Sequence, residues 1–225
     1  MSFEGIESVN NDFLDLLISR RSIRKFKSKD VPDTYIKTLI EAAHLAPSRA
    51  NTQPWHFVII KNQYTRKLLS VAAKNQKVVA EAPLIIGVFS LINTEIIVSK
   101  RTEELVNVGT FNNEIKNEAD HAFDNLNQSD KEVDPALNAS IAATTLMYQA
   151  HQLGLGCCWV KLIEDTEVLK ILNVPSGYYH AGLLAIGFPD ENPKMRPRID
   201  ISNLIHFEQF NKMKSKARRL GNTCI

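Results

Sequence analysis

The stretch 135–153 confines this chain more than any other feature, because Leu137, Ile141, Leu146, Met147 and Ala150 recur there at helical spacing on more than one face. A helix that is apolar almost all round must be covered on most sides, so the rest of the chain, or a second copy of it, has to be arranged around this element. The remaining segments supply suitable partners. Residues 11–20 carry Phe13, Leu14, Leu16, Leu17 and Ile18, the pattern of a short amphipathic helix. Residues 33–46 read as a second helix between Pro32 and Pro47, and Asn62 is placed to cap a third. Residues 165–172 read as a short fourth. Strands are expected over 56–60, 83–90, 157–161 and 181–188, and the second, apolar on both faces, is expected at the centre of a sheet. Gly154 suits the left-handed cap that ends the long helix. Helices interspersed with four or five strands, without linker or internal repeat, indicate a single α+β domain over residues 1–225.

Composition excludes several classes. Hydrophobic residues at 44% and charged residues at 23% of 225 are ordinary globular values. The net charge of +2 argues against a general nucleic-acid binder, although the charge is unevenly spread. Residues 91–133 hold four basic and nine acidic residues with seven asparagines. With so little to pack, this segment is expected to be a variable, mobile lid. Residues 194–219 hold eight basic and two acidic residues, which read as a solvated tail with some cations available for a phosphate. No apolar run approaches the ~20 residues of a membrane helix, and the first eleven residues do not resemble a secretory signal, so a cytoplasmic location is expected. Three cysteines fit a reducing compartment. Cys157 and Cys158, adjacent in a strand, point to opposite faces and form neither a redox pair nor a metal site. Cys224 is not placed for prenylation. None of the six histidines has metal-ligand spacing, and Gly154-Leu155-Gly156 lacks the third glycine of a dinucleotide fingerprint.

Two segments carry chemistry. Arg20-Arg21-Ser22-Ile23-Arg24 packs three guanidinium groups and a hydroxyl into five residues, which is either a solvated helix end or a seat for a phosphate monoester, whose oxygens match arginine forks. Ala46-Pro47-Ser48-Arg49-Ala50-Asn51-Thr52-Gln53-Pro54-Trp55 alternates turn formers with amides and a hydroxyl. That is either a polar turn or the rim of a pocket for a planar heterocycle such as an isoalloxazine.

The pair, in this order and spacing, resembles the openings of the nitroreductase family of flavin mononucleotide (FMN) oxidoreductases. The resemblance continues through residues 154–160, 183–189 and 194–198, covering about 12–90 and 134–207. It implies a nitroreductase-like α+β fold, with a central, mostly antiparallel sheet flanked by helices. It also implies an intertwined homodimer in which the C-terminal extension, residues 190–225, wraps the partner. Arg20, Arg21, Ser22 and Arg24 are assigned to the phosphate and ribityl end of FMN, with Arg196 or Arg198 closing the clamp from the tail. Pro47, Ser48 and Asn51 are assigned to the ring, with Arg49 adjacent, and Cys158, Trp159 and Val160 to its other side through backbone groups. No side chain is expected to be an obligate acid or base. Hydride is expected to pass from NADH or NADPH to an electrophilic small molecule such as a nitroaromatic or quinone, in ping-pong order. Alternatives are a specialised flavin reductase or dehalogenase of the same family, a non-catalytic flavin-binding protein, and a nucleic-acid-binding module using the basic tail. The sequence departs from the family at Arg49, where a small residue is common, and at Cys157, where serine is common.

Overall fold

A computed structural model of the chain describes residues 11–210. The N-terminal ten residues, residues 211–225 of the extension and Cys224 lie outside the described residues.

Local signals start and stop each element. The Asn11 side chain accepts from Leu14 N at 2.7 Å and opens α1 (Asp12–Ser19). Pro32 precedes α2 (Asp33–His44), and β1 (Trp55–Ile60) follows. Asn62 caps α3 (Gln63–Ala72), accepting from Thr65 N at 3.0 Å. A short α4 (Lys77–Glu81) leads into β2 (Leu84–Leu91). Three helices come next, α5 (Glu95–Asn107), α6 (Asn113–Asp124) and α7 (Gln128–Gln152). The chain then forms β3 (Gly156–Val160), α8 (Asp165–Ile171) and β4 (Tyr178–Gly187). Gly154, at φ +72°, makes the left-handed turn after α7.

The strands pair antiparallel throughout, in the order β1-β2-β4-β3. Strand β2 is central and alternates its buried side chains between two cores. Leu84, Ile86 and Val88 pack with α2 and α7, while Ile85 and Phe89 pack with α3, α4 and α8. Cys157 and Cys158 divide between the same two cores, as their adjacency in a strand requires. The register between β2 and β4 slips at Val88/Phe89. Opposite that slip Gly182 has φ +135°, and a Cβ there would stand 2.4 Å from Trp159 Nε1. The bulge thereby makes room for the indole, which donates to Ala181 O at 3.1 Å.

Three expectations need correction. The long helix begins at Gln128 rather than 135, with Pro135 inside it. Asn127 caps this earlier start by accepting from Asp130 N at 2.9 Å, so the helix already exists where the proline removes one backbone donor. Nor is α7 covered on most sides within the chain. Ala139, Ala142, Ala143, Leu146 and Ala150 are buried on one face, whereas Leu137 is 56% and Ile141 40% exposed on the other. Residues 91–133, expected to have little to pack, hold α5, α6 and the start of α7. Val98, Thr102 and Phe123 are buried between these helices, Thr102 Oγ1 donates to Asp120 Oδ1 at 2.7 Å, and Lys131 pairs with Glu95 at 2.8 Å. Polar side chains thus pair across helices that also bury Val98 and Phe123.

After β4 the tail runs alongside residues 25–27. Lys27 N donates to Phe188 O and Asp190 N to Lys25 O, both at 2.9 Å. Beyond it, Ile201, Leu204, Phe207 and Phe210 are exposed.

Candidate functional site

The end of α1 delivers the cationic segment onto the edge of the sheet. Ser22 forms a parallel bridge with Cys157, and Ile23 N donates to Cys157 O at 3.1 Å. Gly156 allows the approach, since a Cβ there would lie 2.6 Å from Ile23 Cβ. Arg21 Nη1 turns back to Ile18 O and Arg20 O, at 2.5 and 2.8 Å. Arg20 Nη1 and Arg21 Nε are buried from solvent yet have no hydrogen-bond partner among the described residues. Leaving such charged donors unmet costs upwards of ~1–3 kcal/mol each, a cost that an anion would remove.

His151, in the last turn of α7, stands at the same place. Its Nε2 is 2.8 Å from Ser19 Oγ, and burial, followed by the Arg20 and Arg21 charges, holds the imidazole below its usual pKa range. Arg24 N and Lys25 N both donate to Glu191 Oε1, the second at 3.1 Å, so the tail is fastened beside Arg24. Burial pushes the Cys158 thiol up, and the Arg24, Glu191 and Arg196 charges also reach it. Both tail arginines are exposed, and the Arg196 charge is the one that acts on the Cys158 thiol. Cys157 is likewise pushed up by burial and is an inert core thiol.

Residues 47–53 form a loop of unusual backbone shape. Ala50, Asn51 and Gln53 have φ of 45°, 54° and 47°. Such conformations cost a non-glycine residue about 1–3 kcal/mol each and persist only where the surroundings impose them. Here they do. Ser48 Oγ accepts from Gln53 N at 2.9 Å, Gln53 Nε2 donates to Asn51 Oδ1 at 2.9 Å, and Thr52 Oγ1 donates to Arg49 O at 2.8 Å. Arg49 N donates to Asn138 Oδ1 at 3.1 Å. The Arg49 side chain leaves the loop to pair with Asp134 at 2.8 Å and to lie 4.4 Å over the Phe123 ring. Pro47, Arg49 and Asn51 are exposed, and Ser48 is half-buried.

Of the strand residues expected at the site, Cys158 and Val160 are buried, and Trp159 is half-buried over the β4 bulge. Strand β3 is at the edge of the sheet, so part of its backbone polar groups face away from β4, toward the clamp.

Among the described residues no hydrogen bond or ion pair joins clamp and loop. The clamp touches α7 at His151 and the loop touches it at Asn138, about 20 Å away at ~1.5 Å per residue. Residues 17–188 match the Nitroreductase family, a span that runs from the end of α1 through β4 and includes both segments. The chain belongs to the nitroreductase family. A protein of Thermus thermophilus named NADH dehydrogenase is 26% identical over 191 residues, covering 84% of this chain and 92% of its own. A nitroreductase-like protein from Streptococcus mutans has the same fold, with a TM-score of 0.75, 25% identity, and coverage of 88% of this chain and 98% of its own. A protein from Exiguobacterium sibiricum, solved in complex with FMN, has the same fold with a TM-score of 0.77 at 22% identity, covering 89% of this chain and 99% of its own.

Sequence reasoning did not place His151 or Glu191 beside the arginine segment. Neither belongs to a motif. His151 lies seven residues before the Cys158-Trp159 strand on a helix that reads as core, and only the return of the chain places it against Ser19. The signal for Glu191 was its place just after the Phe188-Pro189 strand end, where the tail turns onto the clamp.

Proposed function

We propose that this protein is an FMN-dependent oxidoreductase that takes electrons from NADH or NADPH and passes them to an electrophilic small molecule, a nitroaromatic or a quinone, in ping-pong order. The observation that carries the reading is the pair of buried, unpartnered guanidinium nitrogens in a segment belonging to the nitroreductase family. The group fits the residues present. Arg20, Arg21 and Ser22 would hold the phosphate, with Arg24 toward the ribityl chain and Arg196 rather than Arg198 closing from the tail. Pro47, Ser48, Arg49 and Asn51 would border the ring on one side, and Cys158, Trp159 and Val160 would border it on the other.

Bound FMN supplies hydride and electron transfer; the chain supplies the setting. Its cations offset the phosphate charge, its strained loop presents preset polar groups, and its half-buried Trp159 limits water. No described side chain need donate or abstract a proton, since solvent can serve.

The separation of clamp and loop along α7 favours a composite site in a homodimer. Leu137, Ile141, Thr144 and Tyr148 form a stripe at helical spacing on the uncovered face of α7, and Phe13 meets Tyr148 edge-on at 6.1 Å. They line a shallow groove of about 480 Å³. The stripe is centred midway between the clamp end and the loop end. Two copies packed by a two-fold axis on this stripe would place the clamp of one beside the loop of the other. The extension, residues 190–225, would then wrap the partner and cover its exposed apolar residues. A single domain, a cytoplasmic location and a small-molecule partner accord with this reading; no described helix is long and apolar enough to cross a membrane.

Purified protein should show a flavin absorption band, release FMN on denaturation, and oxidise NADH or NADPH when a quinone or nitroaromatic is supplied. A colourless protein that fails to take up added FMN would contradict the proposal, and flavin binding without turnover would favour a non-catalytic flavin-binding role.

A further inference from the structure

Arg49, the residue by which the loop departs from the family pattern, has its side chain directed away from the loop. Its main chain is fixed on both sides. Asn138, 4% exposed, accepts from Arg49 N and donates through Nδ2 to Asp134 O at 2.9 Å. Thr52, 1% exposed, bonds back to Arg49 O through both its hydroxyl and its N–H. The guanidinium then bridges two further elements. One nitrogen pairs with Asp134, whose side chain is 17% exposed near the start of α7, and its plane covers Phe123 near the end of α6. A cation partly removed from water between a carboxylate and an aromatic face is held by both. A small residue there would leave Phe123 without this cover and Asp134 without its partner. The loop backbone at positive φ, the buried end of α6 and the first turns of α7 therefore meet at one side chain.

We propose that Arg49 is a positioning residue that couples the order of α6 to the shape of the ring loop. Resting on the flavin reading, the proposal makes a ring seated on the loop and a docked α6 stabilise one another, and places the segment that varies within the family under the control of cofactor occupancy. Coupling of this kind is reciprocal: what tightens the loop tightens α6, and what frees α6 loosens the loop.

Hydrogen exchange on the full-length protein, with and without FMN, tests it. In flavin-free protein, Arg49→Ala and Asp134→Asn should speed exchange of the α6 amides about tenfold or more, with Arg49→Lys in between and the β2 amides unchanged as a check on folding. Saturating FMN should slow α6 exchange at least about threefold in the wild type and leave it unchanged in Arg49→Ala. Two results would overturn the proposal: α6 exchanging at the wild-type rate in both Arg49→Ala and Asp134→Asn, or FMN slowing α6 equally with and without Arg49. A wild type that takes up no FMN overturns the flavin reading and the coupling with it, while the flavin-free rates still decide whether Arg49 holds α6.

Discussion

The cationic clamp and the ring loop are both polar segments that touch the same helix, α7, yet their polar groups are satisfied in opposite ways. In the loop nearly every polar group closes on a neighbour within the chain: Ser48 with Gln53, Asn51 with Gln53, Arg49 with Asn138 and Asp134. In the clamp two guanidinium nitrogens are buried with nothing to donate to, beside a histidine that their charge helps keep neutral. The loop closes on itself, whereas the clamp leaves donors that an outside negative charge would meet. Substitutions in the clamp should therefore act mainly on binding, and conservative ones in the loop mainly on stability.

The largest effect should come from Arg20→Ala combined with Arg21→Ala. Two charge-assisted contacts at about 2 kcal/mol each amount to a loss of roughly 10³-fold in FMN affinity. Titration of flavin fluorescence reads this directly. The flavin-free double variant should melt no lower than wild type, because it has shed mutual repulsion and unmet donors, and a loss of affinity below tenfold would break the contrast. Next comes Gly156→Ala, which drives a methyl into Ile23 and lifts the clamp from β3. Overpacking of this kind costs about 1–3 kcal/mol in urea unfolding, and here FMN affinity should fall with stability.

Smaller effects sharpen the difference. The folded protein holds the His151 pKa below the unfolded value of about 6.5. Flavin-free stability is accordingly full above that pH and is lost as pH falls below it, with a slope of at most ~1.4 kcal/mol per pH unit for this group. His180, whose pKa is also lowered chiefly by burial, adds a loss of the same sign. His151→Gln should flatten part of the decline in melting temperature between pH 7 and 5, and leave the His180 part. Saturating FMN should flatten a smaller share of that decline in wild type, since a bound phosphate offsets the arginine charges but not the burial that is the larger cause. An unchanged slope in His151→Gln would remove His151 from the clamp. The smallest effect is expected for Ser48→Ala, which removes the acceptor for Gln53 N. About 1 kcal/mol of stability should be lost, with FMN affinity changed less than about tenfold.

The sequence discloses the elements that local chemistry defines. Asn62 caps a helix as its side chain allows, Gly154 ends α7, and the two-faced apolar run at 84–90 is the central strand. Clamp and loop are legible because their residue types are rare in such density. What the sequence does not disclose depends on return of the chain. Residues 91–133 read as a lid with little to pack because asparagines and charges are dense there, whereas Thr102 with Asp120 and Lys131 with Glu95 join helices across gaps that no periodicity displays. The bare face of α7 is equally hidden, since the pattern says that Leu137 and Ile141 are apolar, not that this chain leaves them exposed. His151 and Arg49 gain their meaning only from partners far along the chain.

The most direct test of the composite site is the FMN content of a heterodimer made by co-expressing two differently tagged chains. One carries Arg20→Ala and Arg21→Ala with an intact loop; the other carries Ser48→Trp, which blocks the loop, with an intact clamp. If each site takes its clamp from one chain and its loop from the other, one site receives both intact elements and one receives neither. The heterodimer should then bind one FMN per dimer at wild-type affinity, while neither parent homodimer binds any. A heterodimer that binds none would show that clamp and loop serve the same flavin within a single chain, contrary to the arrangement along α7.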